Sequence, residues 1–308
     1  MKDKKLRIGI DLGGTKIEGI VLDTGGFAIL RERVPTPAGD YRGILNTIRD
    51  LVTLLESGVD KQCTVGIGMP GSFSRASGRV KNSNSVCLNG QALQRDLELL
   101  MKRPLRFAND ADCFTLSEAT DGAAAGAAVV FGVIAGTGTG GGITVDGRLV
   151  AGPNGIAGEW GHNPLPWPRT DELPGPDCYC GLKGCIETWL SGPGLVRDFQ
   201  AHHHEAVEAV EISRRAQAGD SAARLTLELY FDRMARALAS IINILDPDVI
   251  VLGGGLSNID YLYAAVPACW QSYVFSDRVD TRLVPARHGD SSGVRGAAWL
   301  WPAAASSA

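Results

Sequence analysis

One pattern occurs twice in this chain: an apolar β-branched run, a glycine-rich turn, and a second apolar run. The first copy alternates over residues 6–10, turns through Asp11-Leu12-Gly13-Gly14-Thr15-Lys16 and continues from Ile17 to Leu22. The second runs from Val129 to Ala135, through Gly136-Thr137-Gly138-Thr139-Gly140-Gly141-Gly142, and into Ile143-Thr144-Val145. Both read as strand, turn, strand, with Asp23–Gly26 and Asp146-Gly147 as the turns that follow. Paired glycines let backbone N–H groups approach an anion, and Thr15 adds a hydroxyl. Either copy alone is equally compatible with a plain hairpin, and neither has the Walker spacing. Their repetition points to a duplicated architecture in which each half supplies one phosphate-binding turn.

The 308 residues suffice for two domains or one large split α/β unit. With 44% hydrophobic and 21% charged residues the balance is that of a globular chain. A net charge of −4 and the lack of any basic stripe argue against nucleic acid as a partner. Met1–Lys5 leads straight into the first strand, too short and polar for a signal peptide, and the run Ala123–Ala135 is too short to span a bilayer. Seven cysteines without a leader suggest a cytoplasmic chain with free or metal-bound thiols.

Between the two hairpins, Tyr41–Leu55 carries Ile44, Ile48, Leu51, Val52 and Leu55 at helical spacing. A buried strand, 64–69, stops at Pro70-Gly71, and the polar loop 81–85 contains Asn84. A helix is expected over Leu93–Met101, then a short strand, 105–108, delivers Asn109-Asp110-Ala111-Asp112. Carboxylates at the carboxyl end of a strand stand where open α/β sheets bind ligands. The same residues could cap a helix over 111–119, and Asp110 could serve either purpose. Farther on, 207–216 and 221–245 have helical apolar spacing. Asp246-Pro247-Asp248 ends that stretch, and the strand 249–252 runs into Gly253-Gly254-Gly255. That glycine run suits a nucleotide's base and ribose, or simply a tight strand-to-helix turn. Gly289–Gly293 caps a last helix, 294–301, and 303–308 reads as a frayed tail.

Another segment offers a metal and two acids. Gly158-Glu159-Trp160-Gly161-His162 is followed by Cys178-Tyr179-Cys180-Gly181-Leu182-Lys183-Gly184-Cys185-Ile186-Glu187. Imidazole and thiolate are zinc ligands, and four of them close a structural site. Glu159 and Glu187 remain free to hold something polar. His202-His203-His204 reads as exposed, Cys63, Cys87, Cys113 and Cys269 as small buried residues, and Trp299 and Trp301 as packing groups.

Taken in order, these motifs resemble the ROK family (repressors, open reading frames, sugar kinases) over about residues 6–302. Gly158–Trp167 and Gly289–Trp299 look particularly like the bacterial fructokinases (manno-fructokinases) of that family. The resemblance implies an actin-like, hexokinase-like (ribonuclease H-like) α/β fold of two domains with a cleft between them. Residues 1–118 plus 288–308 would form the smaller domain and 119–287 the larger.

By the same resemblance, Gly9, Ile10, Asp11, Leu12, Gly13, Gly14, Thr15 and Lys16 would grip ATP phosphates with Gly136, Thr137, Gly138, Thr139, Gly140, Gly141, Gly142 and Ile143. Gly253, Gly254 and Gly255 would lie near the adenosine, and Asp11 would hold Mg²⁺ through water. Asp110 would be the catalytic base, with Gly71, Asn84, Asn109, Glu159, His162 and Glu187 binding the sugar beside it. His162, Cys178, Cys180 and Cys185 would hold a structural Zn²⁺, the second ring nitrogen of His162 facing the sugar.

The expected reaction is ATP-dependent phosphorylation of a hexose 6-hydroxyl, fructose to fructose 6-phosphate, with mannose a second substrate. N-acetylglucosamine kinase and glucokinase are the alternatives, and a regulator without catalysis is a remote one. Family repressors carry a helix-turn-helix domain before the first hairpin, where this chain has only about seven residues. Many family kinases are homodimers, and the resemblance implies a small-molecule enzyme with neither nucleic acid nor membrane as partner.

Overall fold

The computed structural model describes residues 6–302, so the expected tail at 303–308 lies outside them. The chain divides into two compact units. One consists of the described residues of Met1–Ala125, Arg148–Ala157 and Asp290–Ala308; the other of Gly126–Gly147 and Gly158–Gly289.

In the first unit, β1 (Arg7–Leu12), β2 (Lys16–Leu22) and β3 (Ala28–Pro35) form an antiparallel meander. The strands β4 (Thr64–Met69) and β7 (Arg106–Asn109) then add in parallel, giving the order β3-β2-β1-β4-β7. The two-residue strands β5 (Ser72–Phe73) and β6 (Val80–Lys81) pair beyond β4. Helix α1 (Tyr41–Val59) starts where the Asp40 carboxylate accepts from the Gly43 amide, and it buries the five apolar residues expected from their spacing. Helices α2 (Leu93–Met101) and α3 (Asp110–Thr120) follow.

The late helix α9 (Ser292–Trp299) belongs to this unit and lies directly on β1 and β4. The approach requires glycine: a Cβ on Gly9 would overlap the Val294 carbonyl, and one on Gly66 the Ala297 carbonyl. The Arg7 guanidinium stacks 4.8 Å from the Trp299 ring centre, and its Nε donates to the Trp301 carbonyl at 2.9 Å. Trp301 Nε1 donates in turn to the Val65 carbonyl at 2.7 Å. Both tryptophans are packing groups, as their sequence context suggests. The short strand β10 (Arg148–Leu149) contributes Leu149 to the cluster around Trp299.

The second unit repeats the scheme. Strands β8 (Val129–Ala135) and β9 (Thr139–Val145) form an antiparallel hairpin; β11 (Val249–Gly253) and β12 (Arg282–Pro285) add in parallel, in the order β9-β8-β11-β12. The strands β2-β1-β4-β7 have the same sequence of senses, so the duplication suggested by the two glycine hairpins extends to both sheets. Helices α4 (Ile186–Leu190), α5 (Gly192–His203), α6 (Ala209–Gln217), α7 (Ser221–Leu245) and α8 (Leu262–Trp270) complete the unit. The histidine run ends α5, with His204 in the left-handed conformation at its C-cap. Cys63 and Cys113 are buried, whereas Cys87 and Cys269 are half-buried, so only two of the four match the sequence reading in full.

Candidate active site

In the first unit the candidate residues gather at the carboxyl ends of the parallel strands. Asp11 stands near the end of β1, Gly71 just beyond β4, and Asn109-Asp110 at the junction of β7 and α3. The glycine turn is held shut by the Gly13 amide donating to Lys16 O at 3.0 Å and by the Thr36 hydroxyl donating to Gly13 O at 2.8 Å. Gly14, Thr15 and Lys16 are exposed there. Gly71 has φ of 78°, and any Cβ would meet Lys81 O at 2.5 Å; Asn84 is exposed in the loop after β6.

Of the two roles left open for Asn109-Asp110, the helix cap falls to Asn109. Asn109 Oδ1 accepts from the Asp112 amide at 2.6 Å and caps α3. Asp110 Oδ1 accepts from its neighbour's amide, Ala111 N, at 2.9 Å. Asp110 is exposed to solvent at the head of α3, yet partial desolvation of its carboxylate raises the pKa, and backbone hydrogen bonds oppose that rise. Asp11 is pushed up to about 6, first by burial and then by the charges of Asp110 and Glu18, against Lys16. Glu18 lies opposite Asp11 across the β1–β2 ladder and is neutralised by Arg31 and Arg33. Two carboxylates that repel each other, with no ion pair to either among the described residues, form a site suited to a proton or a cation.

In the second unit, the glycine hairpin and the Glu159–Glu187 segment are one construction. Glu187 Oε2 accepts from the Thr139 amide at 2.9 Å, and Trp160 Nε1 donates to Gly140 O at 3.1 Å. Gly161 packs so closely on Thr139 O that a side chain could not be accommodated. Gly192 N donates to Gly136 O at 2.7 Å. Gly254, with φ of 84°, abuts Ala135, which brings the Gly253–Gly255 turn beside the start of the Gly136–Gly138 turn. Glu159 is exposed at the head of a short 3-10 helix, Trp160–His162.

His162, Cys178, Cys180 and Cys185 converge, their ligand atoms all within 4.8 Å of one another. His162 Nδ1 lies 3.6 Å from Cys178 Sγ, and Cys180 Sγ lies 3.6 Å from Cys185 Sγ. Tetrahedral zinc would set about 3.6 Å between nitrogen and sulfur and about 3.8 Å between two sulfurs, so the residues fit this ion. The knuckle is preformed by the Cys178 amide donating to Leu182 O at 2.8 Å and the Gly181 amide to Cys178 O at 3.0 Å.

Two features here were not foreseen from the sequence. His162 Nε2, expected to face the sugar, meets the Tyr179 hydroxyl at 2.9 Å. Glu187, expected to hold a sugar hydroxyl, already commits one oxygen to the second hairpin. Tyr179 sits between two of the clustered cysteines, Cys178 and Cys180, and that adjacency was the only available signal.

Comparison with known proteins agrees with this anatomy. The profile of the ROK family matches residues 7–304. An N-acetyl-D-glucosamine kinase of Pectobacterium atrosepticum is 40% identical over 296 residues, spanning 95% of this chain and 97% of the relative. The crystal structure of a ROK hexokinase from Thermus thermophilus superposes with a TM-score of 0.85 at 32% identity, covering 95% of this chain and 96% of the other. A ROK glucokinase from Streptomyces griseus, solved with glucose and AMPPNP, has a TM-score of 0.77 at 27% identity, over 96% and 98% of the two chains. With an actin-like sugar kinase fold and this full-length match, the chain belongs to the ROK family and is one of its sugar kinases.

Proposed function

We propose that the chain transfers the γ-phosphoryl group of ATP to the 6-hydroxyl of a hexose, with Asp110 as the general base. The observation that carries this reading is the division of labour at α3: Asn109 serves the helix, leaving an accessible Asp110 carboxylate whose pKa is raised. Such a group accepts a proton more readily than an aspartate of ordinary pKa. In the proposed reaction the sugar hydroxyl donates to Asp110 Oδ2, and the deprotonating oxygen attacks in line while ADP leaves. Phosphoryl transfer passes through a loose transition state, so positioning and charge neutralisation supply most of the rate, and a base contributes about 10²–10⁴-fold.

The backbone of Gly9–Lys16 and Gly136–Ile143 would line the phosphates, and Gly253–Gly255 the adenosine side. Asp11 would hold Mg²⁺ through water, the ion neutralising charge on the phosphates. His162, Cys178, Cys180 and Cys185 would hold a structural zinc that fixes the loop bearing Glu159 and Glu187. Gly71, Asn84, Asn109, Glu159, His162 and the remaining oxygen of Glu187 would serve the sugar hydroxyls. A site of this kind discriminates strongly against analogues that leave its polar groups unpaired.

Fructose is our first choice of substrate, because the segments 158–167 and 289–299 resemble those of fructokinases and the first of them carries Glu159 and His162. N-acetylglucosamine is the second reading, favoured by the relatives of that name at 40% identity along the chain. A coupled assay of ADP release with fructose, mannose, glucose and N-acetylglucosamine decides between them. The highest kcat/KM is expected for fructose; a tenfold advantage for N-acetylglucosamine would replace that assignment. No helix among the described residues is long and apolar enough to cross a membrane. Action in the cytoplasm as a homodimer, without nucleic acid, completes the proposal.

A further inference from the structure

The loop between the first and second metal-ligand candidates, His162 and Cys178, is anchored by charge. From Pro166 to Asp177, Glu172 is the one buried residue, with 4% of its surface exposed. The apolar side chains of the same stretch, Trp167 and Leu173, are 49% and 60% exposed. Helix α7 receives Glu172 with two arginines one turn apart. Arg236 Nη1 and Nη2 donate to its two carboxylate oxygens at 2.8 and 2.7 Å, and Arg233 Nε donates at 2.8 Å. The Arg169 amide adds a fourth hydrogen bond at 2.8 Å. Arg236 also reaches the loop backbone, donating to Trp167 O at 2.8 Å, and Arg233 stacks 4.5 Å from the ring centre of Trp189. Trp189 lies on α4, two residues after Glu187.

We propose that Glu172, Arg233 and Arg236 are positioning residues for sugar binding: they fix the span between His162 and Cys178 and the seat of Glu187. The inference rests on the reading that His162 and Glu187 serve the sugar. The geometry explains why charge is used. An apolar anchor can slide in its pocket, whereas a carboxylate gripped by one guanidinium fork and a second guanidinium N–H has one register. Removing the negative charge leaves two buried arginines without their central partner, so the loop loses that register.

The test uses the full chain in three forms: wild type, Glu172→Gln and Arg236→Lys, with exposed Asp171→Asn as a surface control. Hydrogen exchange and steady-state kinetics with fructose and with N-acetylglucosamine are measured together. In Glu172→Gln, amides of residues 163–187 should exchange about tenfold faster while those of β8 and β11 keep their protection, and the sugar KM should rise about tenfold with the ATP KM within about twofold. Arg236→Lys, which keeps the charge and loses the fork, should fall between wild type and Glu172→Gln, and it stands in if that variant does not fold. Unchanged exchange in 163–187 overturns the proposal, as does faster exchange spread evenly over the whole second unit. If wild type phosphorylates neither sugar, the functional reading has failed, and the exchange pattern still decides whether these residues hold the loop.

Discussion

His162 Nδ1 and Cys178 Sγ lie 3.6 Å apart, the separation about expected of nitrogen and sulfur bound to one zinc ion. Elemental analysis of the purified chain should therefore find about one zinc per molecule. Replacing Cys178 and Cys180 by serine should abolish it, with a fall in the melting temperature, since apparent binding energies at such sites reach about 10–16 kcal/mol. A metal-free wild-type chain that melts at the same temperature with and without added zinc would refute the assignment.

Replacing Asp110 by asparagine keeps its size and removes the proton acceptor. The expected outcome is a loss of about 10²–10⁴ in kcat with sugar affinity, measured by calorimetry, changed only a few-fold. A turnover rate equal to wild type would remove Asp110 from the role of base.

With Nδ1 turned to the cysteine cluster, His162 Nε2 is the nitrogen that meets Tyr179. Second partners of this kind fix the orientation of a metal-bound imidazole. Tyr179→Phe should weaken zinc retention about tenfold in competition with a chromophoric chelator. Equal retention would make the hydroxyl contact incidental.

Acid should expose the charge anchor of the loop. Burial alone would raise the Glu172 pKa, but the hydrogen bonds from Arg236, the Arg169 amide and Arg233 outweigh it and hold the group at about 2, against an ordinary 4.5. Asp198 and Asp232 pair with the outer sides of Arg233 and Arg236, so the cluster carries further negative charge. A depressed carboxylate pKa adds stability that is complete above about 4.5 and is lost as pH falls towards 2. Denaturant midpoints of Glu172→Gln should vary less steeply than wild type between about pH 4.5 and 2. Parallel curves would show that the pairing does not contribute.

Gly66→Ala would press a methyl group into the Ala297 carbonyl, backbone against backbone, with Leu300 Cβ close by. Overpacking without a flexible neighbour to yield costs about 3 kcal/mol or more, which thermal melting would register as a clear fall. An unchanged melting temperature would mean that α9 can move away from β4 without penalty.

The sequence made the α/β class, the two hairpins and most helices legible because each depends on local periodicity and turn chemistry. The helix is readable over 41–55 from five apolar residues on one face, one turn short of its end at Val59, and the strand that reaches Asn109 from its position ahead of two acidic residues. The cysteine–histidine cluster was legible because thiols and imidazole at such spacing have few other uses. The hydrogen-bond commitments were not. Nothing local says that Asn109 rather than Asp110 caps α3, that Glu187 reaches the Thr139 amide, or that Glu172 finds two arginines more than sixty positions later. Those choices depend on which backbone donors remain unpaired once distant segments meet.

The seating of α9 on Gly9 and Gly66 has a consequence for biosynthesis. Strands β1 and β4 are made before the second unit and must wait, uncovered on that side, until every residue of that unit has left the ribosome. The nascent N-terminal sheet therefore offers a helix-shaped vacancy to chaperones, and truncation ahead of Ser292 leaves it permanently open. A synthetic peptide carrying this helix could then complete the shortened chain in trans, as a missing stave closes a barrel.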